Sequence, residues 1–128
     1  MKNNRVFISF AAEDSNLRDL LKGQARNESS PFEYVDMSIK EQLPQNEWKE
    51  RCRTKIKGCD GLIVMLTPNS RNASGIIFEL TCAIQERVPI VGLYSTSNKN
   101  SYYLYKPMEN MRCIEWNWPN IANWLGSL

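Results

Sequence analysis

Short blocks of β-branched and aromatic residues alternate along the chain with longer stretches in which apolar side chains return every three or four positions. "RVFISF", residues 5–10, predicts a buried strand. Asp14 or Ser15 can cap the helix that follows, where Leu17, Leu20, Leu21 and Ala25 form one apolar stripe and Gly23 weakens the middle. "NESSP" ends it, and "FEYV", 32–35, predicts a second strand before the polar loop "DMSIKEQLPQ". Trp48, Cys52 and Ile56 then recur at four-residue spacing on a polar helix over 46–57. "GLIVML", 61–66, is apolar throughout, as a central strand covered on both faces requires. After the loop "TPNSRNAS", a helix that Ser74 can cap runs to about Arg87, and "PIVGLY", 89–94, is a buried strand with Pro89 at its tolerated first position. The Tyr-rich stretch 95–111 reads as a loop or short helix, "RCIEW" as an edge strand, and "PNIANWLGSL" as a closing helix with Pro119 in its first turn.

Strands and helices in this alternation predict an α/β fold: one flavodoxin-like domain over 1–128, with a five-stranded parallel sheet of order 2-1-3-4-5 and helices on both faces. Ligands of such sheets sit beyond the carboxyl ends of the strands, where the strand order reverses. That rim is expected from Phe10 to Asp14, Asp36 to Ser38, Thr67 to Ser74 and Tyr94 to Ser97. It carries neither a G-x-G-x-x-G nor a Walker A sequence, so the two commonest phosphate-cradling devices are absent.

Composition narrows the chemistry. Sixteen Lys and Arg against fourteen Asp and Glu give a formal charge of +2, which supplies no electrostatic reason for a nucleic-acid or membrane partner. The early run "VFISFAA" is too short to span a bilayer and lacks a signal-peptide architecture, so a cytoplasmic protein is expected. Cys52, Cys59, Cys82 and Cys113 form no C-x-x-C pair and read as inert thiols rather than as zinc ligands or a disulfide. The chain has no histidine, which removes Ser-His-Asp and Cys-His catalysis and imidazole-based metal sites. Carboxylates, hydroxyls, amides and amines remain.

One carboxylate stands out. In "SGIIFELTCAIQERVPIVGLY", residues 74–94, the side chains Ile76, Ile77, Leu80, Ala83 and Ile84 fall within about 120° of arc, and Glu79 lies about 100° from the centre of that stripe. It is expected at the edge of the core, partly buried and facing the rim. An intrahelical ion pair would need a cation three or four residues away, and those positions hold Gly75, Ile76, Cys82 and Ala83. Two readings stay open: an acid satisfied by solvent or by a distant cation, and a functional carboxylate tuned by partial burial. A phosphoacceptor receiver domain is disfavoured, because its Asp would stand at the end of the third strand, where this chain has Leu66-Thr67.

The segments "RVFISFAAED", "DMS" and "CDGLIVMLTPNSRNASGIIFELTCAIQERVPIVGLY" resemble the signature regions of TIR domains and are most similar to the TIR-like proteins of bacterial Thoeris antiphage defence. The resemblance implies a TIR-like fold that cleaves NAD at the nicotinamide–ribose bond, with Glu79 at the position of the family's catalytic glutamate. NAD is then substrate, with no separate cofactor and no metal. The resemblance further implies a cyclised or transferred ADP-ribose that signals to a downstream effector, and a homo-oligomer on activation. Where many members carry Trp four residues before the glutamate, this chain has Gly75.

The remaining candidates each carry two readings. Ser9, Phe10 and Ala11 either admit a dinucleotide or simply pack the end of the first strand. Asp36 and Ser38 either touch ligand or form an Asx turn. Ser70 and Ser74 either bind ribose or phosphate, or, for Ser74, cap the helix; Arg71 either meets a phosphate or is a solvated loop cation. Tyr102, Tyr103, Tyr105, Trp116, Trp118 and Trp124 read as core or interface, with one tyrosine available to close over the site. Two other functions compete: a non-catalytic TIR assembly module working through residues 37–47, and a nucleoside deoxyribosyltransferase-like enzyme.

Overall fold

The structure, a computed structural model, describes residues 4–28, 33–35, 45–70, 73–94 and 111–128. Its strands are β1 (Arg5–Ser9), β2 (Glu33–Val35), β3 (Gly61–Met65), β4 (Ile90–Tyr94) and β5 (Arg112–Glu115). They form one parallel sheet of order β2-β1-β3-β4-β5, as the alternating pattern predicts. The helices are α1 (Ser15–Asn27), α2 (Gln45–Lys57), α3 (Ser74–Gln85) and α4 (Trp118–Gly126).

Period-two alternation divides the core between the faces. Val6 and Ile8 of β1, Ile63 and Met65 of β3, and Val91 and Leu93 of β4 pack under α1 and α4 against Leu21, Ala25, Ile121, Trp124 and Leu125. On the other face, Phe7, Leu62 and Val64 pack under α2 and α3 against Cys52, Ile56, Ile76, Leu80 and Ala83. β3 is buried at every residue, which explains its unbroken apolar sequence. At Gly61 the Trp124 ring of α4 comes so close that an added Cβ would lie 2.6 Å from its Cη2.

Three local expectations are corrected. Leu20 is 61% exposed, so the buried side of α1 is made by Leu21 and Ala25, with Leu17 half-buried beside them. Asp14 occupies the N-cap position of α1 without a capping bond, because its carboxylate is engaged elsewhere. The N-cap of α3 is Ala73; Ser74 is the first helical residue, exposed, and does not cap. The closing helix does hold Pro119 in its first turn, and Asn117 caps it by accepting from the Asn120 amide at 2.9 Å.

At the other end of α3 the chain stops in a Schellman arrangement. The Val88 amide donates to the Ala83 carbonyl at 2.9 Å and the Arg87 amide to the Ile84 carbonyl at 3.2 Å. Arg87 adopts φ 58°, the left-handed region that this motif demands.

Candidate active site

α3 packs on the sheet with α2 beside it on the same face, and these two walls determine where Glu79 goes. Trp48 of α2 packs on Phe78 with ring centroids 5.4 Å apart, and Lys49 lies 5.5 Å from the same ring. Arg53 of α2 reaches Glu86 at 3.3 Å and Gln85 at 2.8 Å. Held by α2 at its middle and its C-terminal end, α3 buries Ile76, Glu79, Leu80, Cys82 and Ala83 and leaves Ile77 and Ile84 exposed. At 100° per residue the buried arc spans about 160°, and Glu79 lies about 20° from its centre. The carboxylate is therefore an interior group, 5% exposed, where the hydrophobic stripe alone placed it at the edge.

Its partners come from two other elements. The row Phe7, Ser9, Ala11 points to the α2–α3 face, and within that row Ser9 donates from Oγ to Glu79 Oε1 at 2.5 Å. This is the length of a hydroxyl bond to a charged acceptor. From α2, the Cys52 thiol lies 3.8 Å from Glu79 Oε2 as a weak donor. Ser9 and Cys52 are both completely buried. Nearby, Cys82 is held above the ordinary thiol range by burial first, with Arg53 opposing and Glu79 and Glu86 reinforcing the shift.

A second polar cluster ties two rim loops together. Asp14, on the turn after β1, accepts from Thr67 Oγ1 at 2.5 Å and from Asn69 Nδ2 at 3.0 Å. The Asn69 amide donates to Thr67 Oγ1 at 3.1 Å, and Ser70 Oγ accepts from the Thr67 amide at 3.1 Å while donating to the Thr67 carbonyl at 2.8 Å. These bonds fix the path from the end of β3 toward α3.

A family profile described as the TIR-like domain of the Thoeris protein ThsB matches residues 7–100, nearly three quarters of the chain. The chain belongs to the ThsB TIR-like family. Among solved structures, a prokaryotic SEFIR domain superposes with a TM-score of 0.59 at 16% identity, covering 97% of this chain and 88% of that one. At that identity the likeness establishes the fold. No curated protein is matched by the sequence.

The candidate residues of this ThsB-family chain separate by position. Ser9 and Glu79 are in direct contact, and Ala11 is buried in the same core. Phe10 turns to the opposite face, where it joins the α1–α4 core and carries the Arg18 guanidinium 5.0 Å from its ring. Ser70 is 2% exposed and spends its hydroxyl inside its own loop. Ser74 is exposed on the first turn of α3. Asp36, Ser38, Arg71, Tyr102, Tyr103 and Tyr105 lie outside the described residues. Trp124 is core; Trp116 and Trp118 pack beside it, and Trp116 Nε1 donates to Gln24 Oε1 at 2.8 Å.

The sequence put Asp14, Thr67 and Asn69 on the expected rim but not in contact with one another, and it did not single out Cys52 as a neighbour of Glu79. For Cys52 the signal existed: it stands between Trp48 and Ile56 on the inner stripe of α2. The Asp14 cluster joins side chains 53 and 55 positions apart, and no local pattern announces such a pairing.

Proposed function

We propose that this ThsB-family domain consumes NAD by breaking the bond between nicotinamide and ribose, with Glu79 as the catalytic carboxylate. The observation that carries this reading is the oriented carboxylate itself, buried on α3 within the family segment and accepting a short hydrogen bond from the end of β1. As the C–N bond breaks, its electron pair neutralises the pyridinium ring and positive charge develops at the ribosyl carbon. A carboxylate close to that carbon stabilises the oxocarbenium-like transition state, as in glycosidases. No imidazole is required, which suits a chain without histidine.

The acceptor that completes the reaction is water, giving linear ADP-ribose, or a nucleophilic atom of the same or another molecule, giving a cyclic or transferred product. In this reading the product is a diffusible signal to a downstream effector in antiphage defence, made by a cytoplasmic enzyme that forms a homo-oligomer when triggered. NAD is substrate; neither nucleic acid nor membrane is a partner. Among the described residues, no helix is long and apolar enough to cross a membrane.

The 5% exposure of Glu79 favours a second reading, a non-catalytic assembly module in which this carboxylate only organises the core. The two separate in lysates of phage-infected cells expressing wild type or Glu79→Gln, with NAD and its products followed by mass spectrometry. Nicotinamide release that falls at least about 100-fold in the variant, with its fold intact by circular dichroism, supports the enzyme. Intact NAD in the wild-type lysate rejects it, and equal turnover by both proteins rejects Glu79. Consumption of deoxynucleosides in place of NAD would instead identify a deoxyribosyltransferase.

A further inference from the structure

Away from Glu79, the α2–α3 face of the sheet carries an open groove of about 500 Å³. It lies at the amino ends of β4 and β5, whereas Ser9 and Glu79 meet at the carboxyl end of β1, two strands away. Ile84, Val88, Ile90 and Met111 make its apolar wall, and Arg87 and Arg112 are its charged groups. Ile84 is 52% exposed, a large apolar side chain that nothing in the domain covers among the described residues. No carboxylate lines the groove among those residues.

The two arginines find no partner inside the domain. Neither guanidinium has a hydrogen bond, ion pair or ring contact among the described residues. Glu86, the acid next in sequence to Arg87, is turned to Arg53 of α2 at 3.3 Å. Arg87 also takes a backbone φ of 58°, and no other non-glycine residue among those described has a positive φ. Glycine would relieve that strain, yet the position carries a long cation that the domain itself does not use. Strain of this sort gathers where a side chain clamps a ligand.

We propose that this groove docks an acidic segment of a partner protein, with one apolar side chain of the segment seated beside Ile84 and Met111 and two of its carboxylates on Arg87 and Arg112. Charge complementarity selects the occupant. A carboxylate accepts paired bonds from a guanidinium, whereas a neutral or basic segment would cover the apolar wall and leave two cations desolvated without a counter-charge. The docking does not depend on what Glu79 does, because the groove contains neither that carboxylate nor its neighbours Ser9 and Cys52.

Fluorescence anisotropy with the intact chain tests this, using a fluorescein-labelled peptide in which glutamates alternate with leucine and phenylalanine, and its glutamine counterpart as control. At about 50 mM salt the glutamate peptide should bind at least about 10-fold more tightly than the glutamine peptide, and its affinity should fall as salt is raised. Arg87→Gly and Arg112→Gln should each weaken binding about 10-fold, and Ile84→Ser about 5-fold. Arg87→Gly is the decisive variant, since it relaxes the backbone and its loss of binding cannot come from loss of folding. Arg26→Gln, which changes an exposed cation on α1, should leave affinity within about 2-fold.

Equal binding of the two peptides, no saturation by the glutamate peptide up to about 1 mM, or an Arg26→Gln loss as large as that of Arg87→Gly would overturn the assignment. Two further results would overturn it by giving the groove another occupant. Dimers in sedimentation velocity that Arg112→Gln abolishes would assign the groove to a second copy of this chain. Inorganic pyrophosphate that binds more tightly than the peptide, and loses that binding in Arg87→Gly, would make it a small-anion site.

Discussion

The carboxylate of Asp14 and the hydroxyl of Thr67 meet at 2.5 Å, both nearly buried, and so bind the turn after β1 to the loop after β3. These are the strands on either side of the point where the sheet order reverses. Asp14→Ala removes the acceptor used by Thr67 and Asn69 and leaves two donors to be satisfied by water or not at all. A loss of about 3 kcal/mol is expected. Asp14→Asn, which can still accept one bond, should lose roughly half as much. Urea unfolding of the three proteins checks both values, and an Asp14→Ala variant as stable as wild type would show that the cluster is incidental.

The approach of Trp124 to Gly61 leaves no room for a side chain on β3. A methyl group there would stand 2.6 Å from Trp124 Cη2 and 3.0 Å from Cζ2, and the ring, 3% exposed in the α1–α4 core, has little space to retreat. Gly61→Ala should therefore destabilise by about 1–3 kcal/mol through overpacking, with the larger part of the effect in the docking of α4. Loss of near-ultraviolet circular dichroism from tryptophan ahead of the global transition would report that local release.

What the sequence revealed follows from what a single element can reveal. β3 and β4 are legible because strands covered on both faces need apolar residues at consecutive positions, and "GLIVML" and "PIVGLY" supply them. The face of α3 was not legible. Counting only apolar residues drew Ile77 and Ile84 into the core, whereas α2 supplies a second wall and turns the buried arc toward Glu79 and Cys82. Leu20 fails for a related reason: helical spacing shows that it can join a stripe, not that anything covers it. Capping misled in the same way. Asp14 has the right chemistry at the right place, but Thr67 and Asn69 compete for its oxygens, and Asn117, which no reading singled out, performs the cap of α4. Of the candidate site, Glu79 and Ser9 could be named from sequence. Their direct contact could not, because it spans 70 residues of chain.

Arg87 offers a substitution that should stabilise. It takes φ 58° at the C′ position of α3, where the Val88 and Arg87 amides close the helix end on Ala83 and Ile84. A side chain bearing a Cβ is strained in that region, and glycine is not. Arg87 is exposed, so its replacement removes no core contact. Arg87→Gly should raise stability by about 0.5–1 kcal/mol, the relief of strain being offset in part by the greater freedom of glycine in the unfolded chain. A rise in Tm with an unchanged circular dichroism spectrum checks this, and a fall would show that the Arg87 side chain contributes more than its strain costs.

Cys59 gives the fold an alkaline limit. Burial raises its pKa to about 11, with Asp60 and Glu33 adding to the shift and Arg5 and Lys55 opposing it. Its thiol also donates to the Lys55 carbonyl at 3.2 Å, a bond that only the protonated form can make. Between the ordinary value of 9.0 and about 11, the unfolded chain has released this proton while the folded chain retains it. Stability must then fall as pH rises through that window, having been fully present below it. Cys59→Ala removes the titrating group, so the unfolding free energy, referred to each protein's own value at about pH 8, should decline less steeply across that window in the variant. Parallel decline in the two proteins would place the alkaline sensitivity in other groups and show that Cys59 is not protected as its burial implies.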